Sequence, residues 1–407
     1  MKIVRLVAIL SAGYFLSQFL RASIAVISPD LVAELSLSPA ALGGLAGAFF
    51  IAFSVMQIPL GAALDSFGAR RTMGVLAGFA ALGALLFALG HSRTVLLLAR
   101  VAMGVGCASL FIGSLIVYAR WFPRHRFASI SSIEMAIGYL GSLMATAPLA
   151  YAAAHWGWRP VFVAVGGLAL IIWLGLVLLV RDAPEGHAFH RRRRQGMAEI
   201  VGGFRAVLAN PQLRYVLAMQ LVGYGSMISL LGLWAGPYLA DVHGLDLVAR
   251  GRMLLLMAAF SVVGLLVFGP LDRVFNTRKW LVVTGVVLNA CLLAALALLR
   301  APSLALSMTL LCLITLGNGY SVALITHGRS IFSDTLVGRG MTVLNTANMG
   351  GAAVLQVVTG LIAGWPATGA GTVGPLGYRL VFGFLATVLV GALLFYLRAR
   401  DIRPNER

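Results

Sequence analysis

Tyr14, Gln18 and Arg21 follow one another at intervals of four and three within a single apolar run, so a helix there carries all three on one face. A phenol, an amide and a guanidinium in a row can hydrogen-bond a polar solute, and the guanidinium offers paired donors that match carboxylate or phosphate. A second arginine, Arg100, lies in another apolar run at a comparable distance from the same end. If the two runs face one cavity, the guanidiniums converge on an anion; otherwise each snorkels to the interface or pairs there. Uncharged polar residues interrupt other runs: Gln220 and Tyr224 with Ser226 and Ser229, then Asn318 and Tyr320, then Asn345 and Asn348. Any one of them alone is a hydrogen bond between helices. Four polar facets facing two arginines would make a binding site. Glu134 is the principal acid inside an apolar run. It can carry a proton, or it can lock a gate by pairing with Arg70, Arg71 or Arg126; its shallow placement favours the lock.

Other chemistries find less support. Met253 and Met257 are four residues apart and could present two thioethers to Cu(I). Met219, Met227, Cys312 and His327 add scattered donors, but methionines packing a core are the plainer reading, and no metal or cofactor is expected. Cys107, Cys291 and Cys312 have no ligand spacing and sit in apolar runs, as buried free thiols do. There is no nucleophile elbow, no phosphate-cradling loop followed by Gly-Lys-Ser/Thr and no zinc-protease pattern, so no enzyme is expected. Gly104-Val-Gly106 falls inside an apolar run, where glycines suggest helix contact rather than a nucleotide.

The elements that position these residues follow from composition. The 407 residues are 60% hydrophobic and only 11% charged, with a mean hydropathy of +0.94. A soluble domain carries about a quarter charged residues, so the chain is an all-α polytopic membrane protein, and long apolar runs between short loops exclude a barrel. Twelve runs approach the roughly 20 residues needed to cross about 30 Å of hydrocarbon: 4–27, 40–63, 72–90, 95–119, 129–153, 159–180, 213–239, 250–270, 280–299, 303–327, 341–363 and 378–398. They divide into an N-terminal six-helix half over 1–180, a basic cytoplasmic linker over 181–210 with an interfacial helix at 197–208, a C-terminal half over 211–398 and a cytoplasmic tail over 399–407. The start of the chain leads directly into the first helix, without a signal-peptide pattern.

A net charge of +18 invites nucleic acid, but the placement of the charge excludes it. Basic residues crowd the loops on the side of the termini, including Arg191 to Arg194, while the other side holds Arg93, Arg159, Arg250, Arg252, Arg300 and Arg379. That asymmetry makes the crowded side cytoplasmic and the anionic lipid surface a partner.

Between the second and third runs stands Gly61-Ala-Ala-Leu-Asp65-Ser-Phe-Gly68-Ala-Arg70-Arg71, and in the matching place of the second half Gly269-Pro-Leu-Asp272-Arg273-Val-Phe-Asn276-Thr-Arg278-Lys279. With Arg100 to Gly106 in the fourth run and Trp156-Gly-Trp158-Arg159-Pro160-Val-Phe162 before the sixth, the chain resembles a twelve-helix major facilitator superfamily transporter. Ser66 replaces a common basic residue and Asn276 a glycine; Gly138, Gly141 and Pro148 fit the antiporter pattern only loosely, which favours uptake over drug antiport. The resemblance implies two pseudo-symmetric halves that rock about a central site lined by helices one, four, seven and ten. It also makes Gly61, Asp65, Gly68, Arg70, Arg71, Asp272, Arg273, Arg278 and Lys279 gating residues, to which the lock reading of Glu134 adds that acid. The expected function is secondary transport of a small organic anion by a monomer in a bacterial inner membrane, both termini cytoplasmic, with symport of protons left open. Efflux of amphipathic compounds, import of Cu(I) or another metal, and a non-transporting membrane sensor are the alternatives.

Overall fold

The computed structural model describes residues 2–184, 197–333, 336–365 and 373–404, so the arginine run at 191–194 lies outside the described residues. Within them the chain is helical, because a backbone in hydrocarbon must satisfy its own hydrogen bonds. Twelve helical stretches are long and apolar enough to span a membrane. Spans 1 to 6 are Ile3–Ala22, Pro39–Leu64, Ala69–Leu89, Arg93–Trp121, His125–Trp156 and Trp158–Leu179. Spans 7 to 12 are Leu213–Asp241, Leu247–Val274, Lys279–Leu298, Leu304–Ser330, Val337–Gly364 and Pro375–Tyr396. The protein is therefore a multi-pass membrane protein of the expected class. In the linker, Met197–Leu208 is helical where the sequence predicts an interfacial helix.

The spans that carry the polar residues are broken part-way. Beyond Ala22 and a turn at Ser23, span 1 continues as a second helix, Ile24–Leu35. Span 4 divides into Arg93–Cys107 and Leu110–Trp121. A π turn, Leu230–Trp234, lies within span 7, and span 10 divides into Leu304–Gly317 and Tyr320–Ser330. Irregular backbone at membrane depth is tolerated only inside protein or along a water-filled cavity. These breaks therefore sit where polar partners are supplied.

Helix starts are capped in a repeating way. Ser92 Oγ accepts from the Val95 amide at 3.3 Å at the start of span 4, and Ser303 Oγ accepts from Leu306 at 3.3 Å at the start of span 10. Asp246 Oδ1 accepts from Ala249 at 2.7 Å ahead of span 8. Gly104 of span 4 leaves no room for a side chain against the Phe49 carbonyl of span 2, the close helix contact expected of this glycine pair.

The described chain forms two compact units. One comprises Met1–Ile27 and Ala48–Ile200, the other Ser28–Gly47 and Val201–Arg407. Ser28–Gly47, early in the chain, thus packs with the second unit, an arrangement the sequence reading does not foresee. Two contacts inside that unit hold it. Gly43 meets the Gln356 carbonyl and Gly360 of span 11 so closely that any side chain there would collide with backbone. Nη2 of Arg250, a residue only 6% exposed, reaches Asp30 Oδ2 at 3.4 Å. Burial lifts the Asp30 carboxyl above its usual range, against the opposing pull of Arg250.

Because Arg250 is the more deeply buried partner, removal of the Asp30 carboxylate leaves a buried guanidinium uncompensated. Asp30→Ala should therefore loosen the segment. Labelling of a cysteine placed at the buried Leu31 with a membrane-impermeant thiol reagent checks this: several-fold faster in Asp30→Ala than in the unsubstituted protein, and an unchanged rate would contradict it.

Candidate functional site

In the first unit, the break after span 1 and the break in span 4 meet at two arginines. Arg100 is 1% exposed, and its Nη1 donates to the Leu20 carbonyl at 2.9 Å, one residue before Arg21. Ser23 Oγ donates to the same carbonyl at 3.2 Å. The helix break thus frees a carbonyl that a buried guanidinium takes up. Arg100 lies over the Phe49 ring at 4.7 Å, and Arg21, half-buried, over the Phe53 ring at 5.0 Å, both within cation–π range. The structure thus brings Arg100 to the stretch of span 1 that carries Arg21.

Amides complete this region. Gln57, one helical turn beyond Phe53, donates Nε2 to the Ala108 carbonyl at 3.3 Å, at the break in span 4. The buried Oε1 atoms of Gln57 and Gln18 have no hydrogen-bond partner. Tyr14 stacks on Phe111 at 4.6 Å, and its ring occupies the space that Gly138 leaves open. The region can thus offer guanidinium donors to an anion and amide groups to hydroxyls.

Glu134 sits elsewhere in the same unit, fully buried. Its Oε2 accepts from Ser11 at 2.5 Å and from Tyr118 at 2.8 Å, while Oε1 has no partner. The expected pairing with Arg70, Arg71 or Arg126 is not what the structure has. Span 5 turns Glu134 inward toward spans 1 and 4, whereas Arg70, Arg71 and Arg126 are exposed.

In the second unit, Asn318 and Tyr320 gather with Ser226 and Asn289 where spans 7, 9 and 10 meet, whereas Gln220, buried on span 7, lies beside Gly328 of span 10. Tyr224, Asn345 and Asn348 are half-buried on spans 7 and 11. Met253 is half-buried and Met257 fully buried on span 8. His327 is committed: Nδ1 lies 2.6 Å from the Tyr396 hydroxyl and Nε2 2.9 Å from the Arg400 carbonyl, which leaves neither nitrogen for a metal. Among the described residues, no group of three or more His, Cys, Asp or Glu side chains is placed to hold an ion.

The two loop motifs carry parallel pins. Gly68 adopts φ 86°, and after it the Arg70 amide donates to Asp182 Oδ1 at 3.0 Å. Arg120 lies 3.6 Å from the same carboxylate, while Arg70 Nη2 donates to the Val177 carbonyl at 2.8 Å. In the second unit Asn276 takes the positive φ, 48°, and Asp401 Oδ1 accepts from the amides of Arg278 at 3.2 Å and Lys279 at 3.0 Å. Thr277 donates to Asp401 Oδ2 at 2.6 Å, Lys279 Nζ to the Leu397 carbonyl at 2.6 Å and Arg278 Nη1 to the Ile402 carbonyl at 3.1 Å. Arg278 also lies 3.7 Å from Asp272. Gly61, Arg71 and Arg273 are exposed, and the Asp65 side chain lies outside the described residues. Sequence reasoning missed Asp182 and Asp401. The signal was an Arg-Asp pair directly after span 6 and again after span 12, Arg181-Asp182 and Arg400-Asp401.

Twelve spans, mid-span breaks and a buried polar region define a polytopic carrier of small solutes. The chain belongs to the Major Facilitator Superfamily, whose family model matches residues 10–356, a class of secondary transporters. It is 25% identical over 377 residues to the "Putative tartrate transporter" of Agrobacterium vitis, covering 85% of this chain and 81% of that protein. It is 24% identical over 412 residues to the D-galactonate transporter of Escherichia coli O6:H1, covering 94% and 92%. In fold it is similar to a bacterial homolog of the human lysosomal transporter Spinster, with a TM-score of 0.81 at 20% identity, covering 97% of this chain and 96% of that one.

Burial alone would raise the Asp401 carboxyl, but Thr277 and the two amides outweigh it and hold the carboxyl below its usual range. A depressed value means that the tail contact is fully present above the ordinary aspartate value of about 4 and is lost as pH falls below it. Proteolysis of the C-terminal tail should therefore be slow at neutral pH and accelerate in acid, and Asp401→Ala should be cut quickly at both.

Proposed function

We propose that this protein carries a small organic anion across a bacterial inner membrane by alternating access, both termini cytoplasmic, and that hydroxy-carboxylates are its substrate class. One observation carries the reading: at the span 1 break the buried Arg100 reaches the Leu20 carbonyl, next to the half-buried Arg21. A guanidinium binds a carboxylate through paired, charge-assisted hydrogen bonds. The Gln18 and Gln57 amides beside them suit the hydroxyls of the same molecule. Support also comes from the relatives named for tartrate and D-galactonate, both carboxylates bearing hydroxyl groups.

Within this reading Asp182 and Asp401 anchor the loop motifs, so Gly61, Gly68, Asp65, Arg70, Arg71, Asp272, Arg273, Arg278 and Lys279 belong to the cytoplasmic gate. Glu134, held by neutral hydroxyls, is a candidate to carry a coupled proton instead of locking that gate.

The test is uptake of labelled tartrate and galactonate into proteoliposomes. Hydrogen bonds to charged groups are worth about 1.5–3 kcal/mol, so Arg21→Ala should raise KM about 10- to 100-fold. Arg100→Lys, which keeps a donor for Leu20, should do so with the protein still folded. Transport of a neutral amphipathic compound, unaffected by either variant, would overturn the reading.

A further inference from the structure

The face of span 1 that carries Arg21 and Gln18 continues one turn further to Tyr14, and all three residues are half-buried. A face bearing a guanidinium and an amide does not turn to lipid, so the Tyr14 ring borders the same space as they do. Its surroundings fix that ring. It stacks on Phe111 of span 4, also half-buried, with centroids 4.6 Å apart and planes at 30°. It also fills the gap at Gly138 of span 5 so closely that a side chain there would collide with it. Further along span 5, Gly141 meets the Phe15 carbonyl, again with no room for a side chain. Span 5 is thus seated directly on span 1, and the ring has no space to drop toward it.

The layer beyond the ring is of a different kind. One turn past Tyr14 and Gly138, on the side away from Arg21, stand Ser11 and Glu134, and the fully buried Glu134 takes Ser11 and Tyr118 as its donors. The polar residues of spans 1, 4 and 5 therefore fall into two layers, guanidiniums and amides in one and a carboxyl group in the other, with the Tyr14–Phe111 pair between them. An anion that reached Glu134 would bring a second negative charge to an acid in a low-dielectric interior. An aromatic pair at this level keeps the two apart, and its faces suit the C–H groups of a solute.

The spacing sets a length. Tyr14 and Arg21 are seven residues apart, about 10 Å along a helix, and side chains on one helix face lean the same way, so the separation carries over to the ring and the guanidinium. A hydrogen bond at one end takes ~3 Å and van der Waals contact at the other ~4 Å. What remains suits a short carbon chain. We propose that Tyr14, braced by Phe111 and seated at Gly138, is the floor of the anion site and limits it to hydroxy-acids of about four carbons. This floor presupposes the anion transport inferred above and narrows its substrate class.

The experiment compares kcat/KM for uptake of labelled tartrate and of the longer galactonate by the full-length protein in proteoliposomes. The unsubstituted protein should favour tartrate about tenfold. Tyr14→Ala removes the floor and should raise the galactonate-to-tartrate ratio about tenfold, whereas Tyr14→Phe, which keeps the ring, should keep the original preference. Phe111→Ala takes away the brace and should move the ratio the same way by a smaller factor; it carries the test if Tyr14→Ala does not fold. A ring that only packs the helices would, when removed, lower uptake of both acids without changing their ratio. An unchanged ratio in the folded variants, or galactonate taken up as readily as tartrate by the unsubstituted protein, would overturn the floor and leave anion transport standing. If the unsubstituted protein takes up neither acid and carries a neutral solute instead, the transport reading fails and the floor with it.

Discussion

A charge buried at membrane depth is the constraint on which the first unit depends. Arg100 is almost wholly enclosed and donates to the Leu20 carbonyl, and an unmet guanidinium in hydrocarbon would cost several kcal/mol. The chain meets that cost by breaking the helix of span 1 at Ser23, which makes a carbonyl available, and by laying Phe49 beneath the guanidinium. The break and the arginine explain one another. Neither has a reason to exist in a protein that only needs to cross the bilayer.

The same economy recurs along the chain. Spans 1, 4, 7 and 10 are each interrupted, and at the first two the exposed backbone is met by polar side chains: Ser23 and Arg100 at Leu20, then Gln57 at Ala108. At the two loop motifs the need is different. A helix start leaves amides unsatisfied, and a carboxylate from the far end of the same six-span set supplies the acceptor, Asp182 in one case and Asp401 in the other. A tight turn precedes each start, through Gly68 or Asn276. The internal repeat is therefore preserved as physical roles even where the residue types have diverged.

Much of this was legible in the sequence. Run lengths fix twelve helices because hydrocarbon thickness and helix rise leave little choice, and the loop motifs locate the repeat. Arg21 and Arg100 stood out because charge is rare in such runs. What escaped notice depends on partners far apart in sequence. Asp182 and Asp401 look like ordinary interfacial acids until the helix starts they cap are folded beside them. Arg250 was placed with the exposed basic residues of an outer loop, yet it is buried against Asp30. Glu134 was given arginine partners because several lie near it in loops; the turn of span 5 hands it Ser11 and Tyr118 instead. Helical periodicity predicts which residues share a face, but not which other helix that face will meet.

The most direct test of the central claim is a structure of the full chain with a bound hydroxy-carboxylate such as tartrate. The account predicts a carboxylate within hydrogen-bonding distance of both Arg21 and Arg100, with a hydroxyl at Gln18 or Gln57. A bound anion that touches neither arginine would contradict it.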